Sequence, residues 1–375
     1  MRTFVNIIRS ITGLVFMFSG FVKGIDPMGF AYRLEDYYNV YHISWLMPLA
    51  LTFSIALCTV EFVLGVMLLF KLRIRITAVL VLLMMLFFTL LTFYDALTNL
   101  VPDCGCFGDA IKLSNWQTFY KNIVLIIFAF IVFIYRRKQD TALPAKRQWS
   151  YAFIASVAFI YFSVYCYMHL PLIDFTEWKP GNKLFAENPV PQKYYLTYKN
   201  KKTGEKKEYL SPDYPYADSV WMAQWEFVSQ RVEDPNIYYG RNLQITDSAG
   251  TDYTAQFIRD PGFVFLMTSK DINLAAESKL AGMNGFAEQV VKSGAKFILL
   301  VNNTPAQAIQ IAKKENLIYP VYFADEIELK TMVRSNPGLL LLHNGVIIKK
   351  WHYRDIPDFE DVSARYLNLS NKLGR

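Results

Sequence analysis

Two textures of hydrophobic patterning divide this chain near residue 170. Before that point, apolar residues run almost unbroken through five segments, at about 4–24, 45–70, 76–98, 117–135 and 150–170. Each approaches the roughly 17–25 helical residues needed to cross a hydrocarbon core. The fourth opens on Ser114-Asn115-Trp116-Gln117, a pattern in which Ser114 and Gln117 can satisfy free amides at a helix start. Beyond residue 170 the apolar positions come in short runs separated by charges and turn residues, as in a water-soluble domain. The pattern predicts a membrane α-helical bundle of about five spans followed by a soluble α/β domain.

Within the soluble part, residues 193–210 read as a hairpin turning at Lys202-Thr203-Gly204. Residues 212–240, rich in Tyr and Trp, read as mixed strand and loop. A more regular order begins near 240. It runs from a short strand (242–247) to a buried strand (263–267), a helix (275–293) and a strand (297–301). Thr304-Pro305 then starts a helix with a cap and an N1 proline. A strand at 321–324, a helix at 326–335, a hairpin (338–353) turning at Asn344-Gly345 and a helix at 359–370 complete the order. Strands alternating with helices imply an α/β layer.

Charge placement orients the spans. Lys71, Arg73 and Arg75 crowd one short loop, and Arg136, Arg137, Lys138, Lys146 and Arg147 crowd another, with Asp140 as their only acid. The other two loops hold fewer basic residues. The positive-inside bias predicts cytoplasmic basic loops, an inside amino terminus and an extracytoplasmic carboxyl-terminal domain, in a bacterial inner membrane. No small-residue cleavage site follows the first span, so it reads as a retained helix. The net charge of +7 belongs largely to these clusters. No basic strip with interleaved aromatics is present, which argues against nucleic acid as a partner.

Four cysteines are present: Cys58, Cys104, Cys106 and Cys166. Cys58 is mid-span and reads as a small buried apolar residue. Cys104-Gly105-Cys106 falls in the loop between spans three and four, on the side where disulfides persist. A bridge between two thiols separated by one glycine closes a small strained ring, and strained bridges are the more labile and oxidising ones. Lys23, Lys112 and Lys121 would favour the reactive thiolate, whereas Asp103 and Asp109 oppose it. Cys166, near the outer end of span five, could relay thiol exchange with the pair. An inert bridge or a buried reduced pair is the bland alternative. Metal binding has little to support it, because the outer loops offer only His42 and carboxylates as further ligands.

Ionisable residues inside spans usually face a partner or a cavity. Glu61 in span two is expected to pair with Arg9 in span one, and Asp95 in span three with Lys23.

Phe18-Ser19-Gly20-Phe21-Val22-Lys23, followed by Asp26-Pro27, resembles the first-helix signature of the DoxX family, and Cys104-Gly105-Cys106-Phe107-Gly108 is similar to the loop of its MauE relatives. The resemblance covers about residues 1–138 and implies four helices. DoxX-like proteins are associated with quinone-linked oxidation of sulfur compounds, and MauE with disulfide formation in an envelope enzyme subunit during methylamine utilisation. The strand and helix order of 241–375 is similar to the thioredoxin-like fold, with Asn336-Pro337-Gly338 where that family keeps a cis-proline. Thr268-Ser269-Lys270-Asp271-Ile272-Asn273 stands where its C-x-x-C belongs, and no cysteine follows Cys166. Without a thiolate, the domain cannot perform dithiol exchange.

The expected organisation is thus a DoxX/MauE-like membrane domain (1–138), a cytoplasmic link (139–149) and a fifth helix (150–170). A mixed extracytoplasmic segment (171–240) and a thioredoxin-like domain without catalytic cysteines (241–375) follow. Two functions fit. One is a membrane oxidoreductase passing electrons between envelope thiols and a quinone through Cys104 and Cys106, with Lys23, Asp95, Lys121 and Cys166 in support. The other is a non-catalytic, membrane-anchored binding or assembly factor for an envelope protein.

Overall fold

The structure, a computed structural model, describes residues 2–101, 105–139, 143–186, 190–233, 240, 242–273, 275 and 277–368. Among them, five helices are long and apolar enough to cross a membrane: Arg2–Ile25, Ser44–Leu69, Ile74–Thr98, Asn115–Lys138 and Ala145–Met168. Their regular α-helical portions are α1 (Arg2–Ile25), α3 (Ala50–Leu69), α4 (Ile74–Thr98), α5 (Asn115–Tyr135) and α6 (Ala145–Met168), with a shorter α2 (Pro27–Val40) between the first two. The outward faces are apolar, with Phe4, Phe87, Leu90, Phe130 and Phe153 all exposed, as a lipid-bathed surface requires.

Helices α1 and α3 lie antiparallel and very close, and small residues permit it. A Cβ on Gly20 would stand 2.7 Å from the Phe62 nitrogen, and one on Gly65 2.5 Å from that of Met17. In lipid, where apolar burial offers little driving force, such backbone approach is what lets helices gain packing contacts. The capping box predicted at Ser114 and Gln117 is present at the start of α5. Helix α2 was not expected. Asp26 caps it, accepting from Gly29 N at 2.8 Å, and Pro27 occupies its first turn.

The soluble part holds two sheets. The smaller joins β1 (Lys193–Asn200), β2 (Lys206–Leu210) and, after the short α7 (Ser219–Gln224), β3 (Trp225–Glu233), in antiparallel order β2-β1-β3. The larger follows α8 (Thr254–Ile258). Its strands are β4 (Phe263–Ser269), β5 (Lys296–Val301), β6 (Val321–Phe323), β7 (Gly338–His343) and β8 (Val346–His352), in the order β6-β5-β4-β7-β8. β4, β5 and β6 run parallel, and β7 and β8 form the antiparallel hairpin. Helices α9 (Glu277–Gly282), α10 (Asn284–Lys292), α11 (Pro305–Lys314), α12 (Glu326–Met332) and α13 (Phe359–Val362) flank it.

Alternate strand residues feed two cores. Phe265, Met267, Leu299, Leu339 and Leu341 meet α9, α10, α11 and α13 on one face. Leu266, Ile298, Leu300, Leu340 and Leu342 meet α8 and α12 on the other. Both faces of the sheet are therefore covered, which explains why these strands read as continuous apolar runs. The segment leaving α6 belongs to this packing: Trp178 and Leu184 sit in the second core, and Gly181 N and Leu184 N donate to Ile347 O and Gly345 O. It covers the outer edge of β8, which would otherwise be open for pairing.

Three expectations change. Residues 242–247 form no strand, although Thr246 bridges to Phe323 and Asp252. The single helix expected over 275–293 is two, α9 and α10. The last helix passes from α13 into one wider π turn at Ser363–Leu367.

Candidate functional site

The cysteine turn sits at the end of the bundle where α1 finishes and α5 begins. Gly105 and Gly108 have φ of +62° and +53°, a left-handed conformation that glycine adopts at little cost. Ser19 of α1 donates to the Cys106 carbonyl at 2.7 Å. The Phe107 ring packs on Phe18, with centroids 5.6 Å apart, and Lys121 Nζ lies 4.5 Å from its centre. Cys106 is half-buried; Cys104 lies outside the described residues.

Behind Cys106 opens a cavity of about 540 Å³ among α1 to α5. Its walls are mostly aromatic and aliphatic, and Ser19, Lys23, Glu61, Lys121 and Asn122 supply the polar groups. Tyr41, Phe53 and Phe87 belong to its lining and are partly exposed. An apolar chamber with a few convergent polar groups is the usual form of a small-molecule site.

The structure re-pairs the intramembrane charges. Glu61 is met by Lys23, in direct contact, and not by Arg9. The reason is helix register: Gly20 lies against Cys58 and Phe62, and Gly13 against Gly65 and Leu69, so the level of Glu61 is near residue 19. Lysine at position 23 reaches back along α1 to it, as helical side chains lean toward the amino terminus. Arg9 instead donates to the carbonyls of Leu68 and, at 2.7 Å, Leu69. These are last-turn acceptors of α3 that lack intrahelical donors. Lys23 being engaged by Glu61, the Asp95 carboxylate accepts from the Tyr37 hydroxyl at 2.6 Å. Cys166 is buried in α6 and is not among the residues lining the cavity with Cys106.

The soluble domain closes over this end of the bundle. Arg334, between α12 and β7 and only 6% exposed, donates Nε to Asp26 and Nη2 to Asp109, each at 2.7 Å. Burial alone would lower its pKa, but the two carboxylates hold the guanidinium charge firmly and raise it. Tyr32 of α2 lies beneath three cations, with Lys270 4.5 Å, Lys330 4.9 Å and Arg334 5.7 Å from its ring centre. Lys330 also reaches Glu35 at 3.4 Å, and Lys112 reaches Glu177 at 3.1 Å.

The loop after β4 and the turn before β7 lie at the docked end, through Lys270 and Arg334. Asn336–Pro337 is a cis peptide bond, as expected. Ser269 Oγ donates to Asn336 Oδ1 at 2.7 Å, and Asn336 Nδ2 to Asp271 O at 3.0 Å, which ties the thiol-free loop to the proline turn. Among the described residues, no three His, Cys, Asp or Glu side chains gather as a metal site.

Sequence reasoning missed Arg334, Tyr32, Tyr37 and Asn122. Asp26-Pro27 carried the signal for α2, since an Asp cap and an N1 proline mark a helix start. Nothing local marks Arg334, whose partners lie more than 200 residues away along the chain.

No curated protein matches the chain. Among solved structures it is similar to a putative protein disulfide isomerase from Bacteroides thetaiotaomicron, at 16% identity and a TM-score of 0.28, over 32% of this chain and 81% of that one. It is also similar to peroxiredoxin Q from Xanthomonas campestris, at 14% identity and a TM-score of 0.26, over 34% and 89%. In the membrane half, residues 1–135 match the family model described as methylamine utilisation protein MauE.

Proposed function

We propose that the protein is a membrane thiol–disulfide oxidoreductase that exchanges electrons between envelope thiols and a quinone through Cys104 and Cys106. The observation that carries this reading is the position of Cys106 on the wall of the largely apolar cavity, which also holds Lys23, Glu61, Lys121 and Asn122. The match of residues 1–135 to the MauE family supports a redox-related role for the same half.

The chemistry starts from a Cys104–Cys106 disulfide. A substrate thiolate attacks one sulfur, the S–S bond breaks and a mixed disulfide forms. A second substrate thiolate resolves it, leaving the substrate oxidised and both cysteines as thiols. A quinone, when bound, supplies an acceptor for the two electrons and two protons released as the bond re-forms. The cavity suits such a molecule, with an apolar body for the ring and tail and Asn122 and Lys121 as donors for carbonyl oxygens. Lys23, paired with Glu61, lies on the same wall as Cys106.

In this reading the basic loops at 71–75 and 136–147 face the cytoplasm of a bacterial inner membrane, and the soluble domain is periplasmic. The protein substrate is an envelope thiol protein.

The test uses full-length protein in lipid nanodiscs with a soluble quinone analogue and a reduced dithiol peptide. Alkylation with mass analysis should find the pair cycling between thiol and disulfide, and Cys104→Ser or Cys106→Ser should stop it. A pair that keeps one oxidation state under both reductant and quinone sinks the proposal. The alternative is a non-catalytic assembly factor for an envelope protein. It is favoured by the thiol-free loop at 268–273, whose Ser269 is bonded to Asn336.

A further inference from the structure

The cysteine turn is held from two sides. From the bundle, Ser19 fixes the Cys106 carbonyl, and Phe18 and Lys121 fix Phe107. From the soluble domain, Arg334 reaches over the turn and joins Asp109 to Asp26. Asp109 lies three residues after Cys106, and Asp26 three residues after Lys23. The same guanidinium therefore fixes the turn relative to the end of α1. Arg33 completes the arrangement, with its side chain against Gly105 and Nη2 3.8 Å from Asp109.

We propose that Arg334 is a positioning residue for the cysteine turn, through which a soluble domain with no thiol of its own sets the placement and accessibility of Cys106. The inference rests on the redox reading above and assigns a role to the otherwise unexplained docked domain. Its physical basis is charge geometry. Asp26 and Asp109 both meet one cation, and both are shielded from water, with side chains 15% and 19% exposed. Without that cation, Arg33 at 3.8 Å compensates Asp109 only, the two neighbouring carboxylates repel, and the easiest response is movement of the turn, since Asp26 is held by its capping bond to Gly29. Arginine suits the task because its planar fork can serve two acceptors from separate nitrogens, whereas lysine presents a single point charge.

The experiment compares wild type, Arg334→Gln, Arg334→Lys and Asp109→Asn as full-length proteins in nanodiscs. Alkylation of reduced Cys106 is timed by site-resolved mass analysis, and quinone-linked oxidation of the pair is followed in parallel. Arg334→Gln should speed Cys106 alkylation by about tenfold, as a locally opened turn would, and should slow quinone-linked oxidation. Arg334→Lys should restore part of both. Asp109→Asn keeps Arg334 on Asp26 but releases the turn, and should also speed alkylation. If Arg334→Gln does not fold, Asp109→Asn carries the same test. Wild-type alkylation and oxidation rates in a folded Arg334→Gln or Asp109→Asn protein would overturn the positioning role while leaving the redox reading intact. A wild-type pair that never changes oxidation state sinks the redox reading, and the alkylation rates still decide whether Arg334 places the turn.

Discussion

Lys23 and Glu61 are in direct contact inside the bundle, on the wall of the cavity that Cys106 also lines. Their side chains are 6% and 11% exposed, so each ion depends on the other for compensation. Lys23→Met or Glu61→Leu alone should cost about 3–5 kcal/mol by leaving an uncompensated buried charge. The double variant should recover most of that loss. Thermal unfolding in detergent measures the stability. The same double variant should lose quinone-linked oxidation by about tenfold or more if the pair serves the chemistry. Retention of both properties would reduce the pair to packing.

Close packing of α1 on α3 gives a second expectation. A side chain at Gly65 meets backbone at 2.5 Å, which no rotamer change relieves. Gly65→Val should therefore destabilise the bundle by at least about 1–3 kcal/mol, the usual range for overpacking. The check is loss of the folded band in detergent electrophoresis and a lower melting temperature.

Asn122 sits on α5 with Nδ2 3.1 Å from Thr92 Oγ1, and its side chain belongs to the cavity lining. Asn122→Leu keeps the volume near constant and removes a donor. Under the proposed function it should raise the KM for quinone by about tenfold, one hydrogen bond's worth, with the rate of peptide thiol attack unchanged. An unaltered KM would place the quinone elsewhere.

His352, buried at the end of β8, gives a pH expectation. Burial, reinforced by Arg354, pushes the imidazole down to about 4. Its Nδ1 accepts from Arg354 N at 3.2 Å, a bond that protonation there abolishes. The folded pKa lies below that of a free histidine, near 6.5. The associated stability is therefore full above pH 6.5 and falls as pH drops toward 4, where the loss is roughly 3 kcal/mol. Melting temperatures of the full chain across that range should decline less steeply for His352→Gln than for wild type. Parallel slopes would assign the acid sensitivity to other groups.

Much of the fold was legible because it is written in local periodicity. The spans, the α5 cap at Ser114 and the hairpin at Asn344-Gly345 all follow from residues within a few positions of one another, whereas the cis-proline was an expectation of the family resemblance. The intramembrane pairing did not follow, although its members were visible. Glu61 and Arg9 are the plausible pair by depth alone, and only the glycine-determined register of α1 on α3 assigns Glu61 to Lys23. The docking of the soluble domain was illegible for a different reason. Arg334 meets Asp26 and Asp109 by tertiary closure, and no sequence pattern records that.

That closure also orders the protein's biogenesis. Asp109 leaves the ribosome 225 residues and Asp26 308 residues ahead of Arg334, a delay of roughly 10–60 s at ordinary translation speeds. During that interval both acids wait without Arg334, and the turn is not yet covered by the soluble domain. Arg334 arrives only after the whole helical bundle, so under the proposed function the turn meets its reactants before the enclosure that limits them in the finished chain.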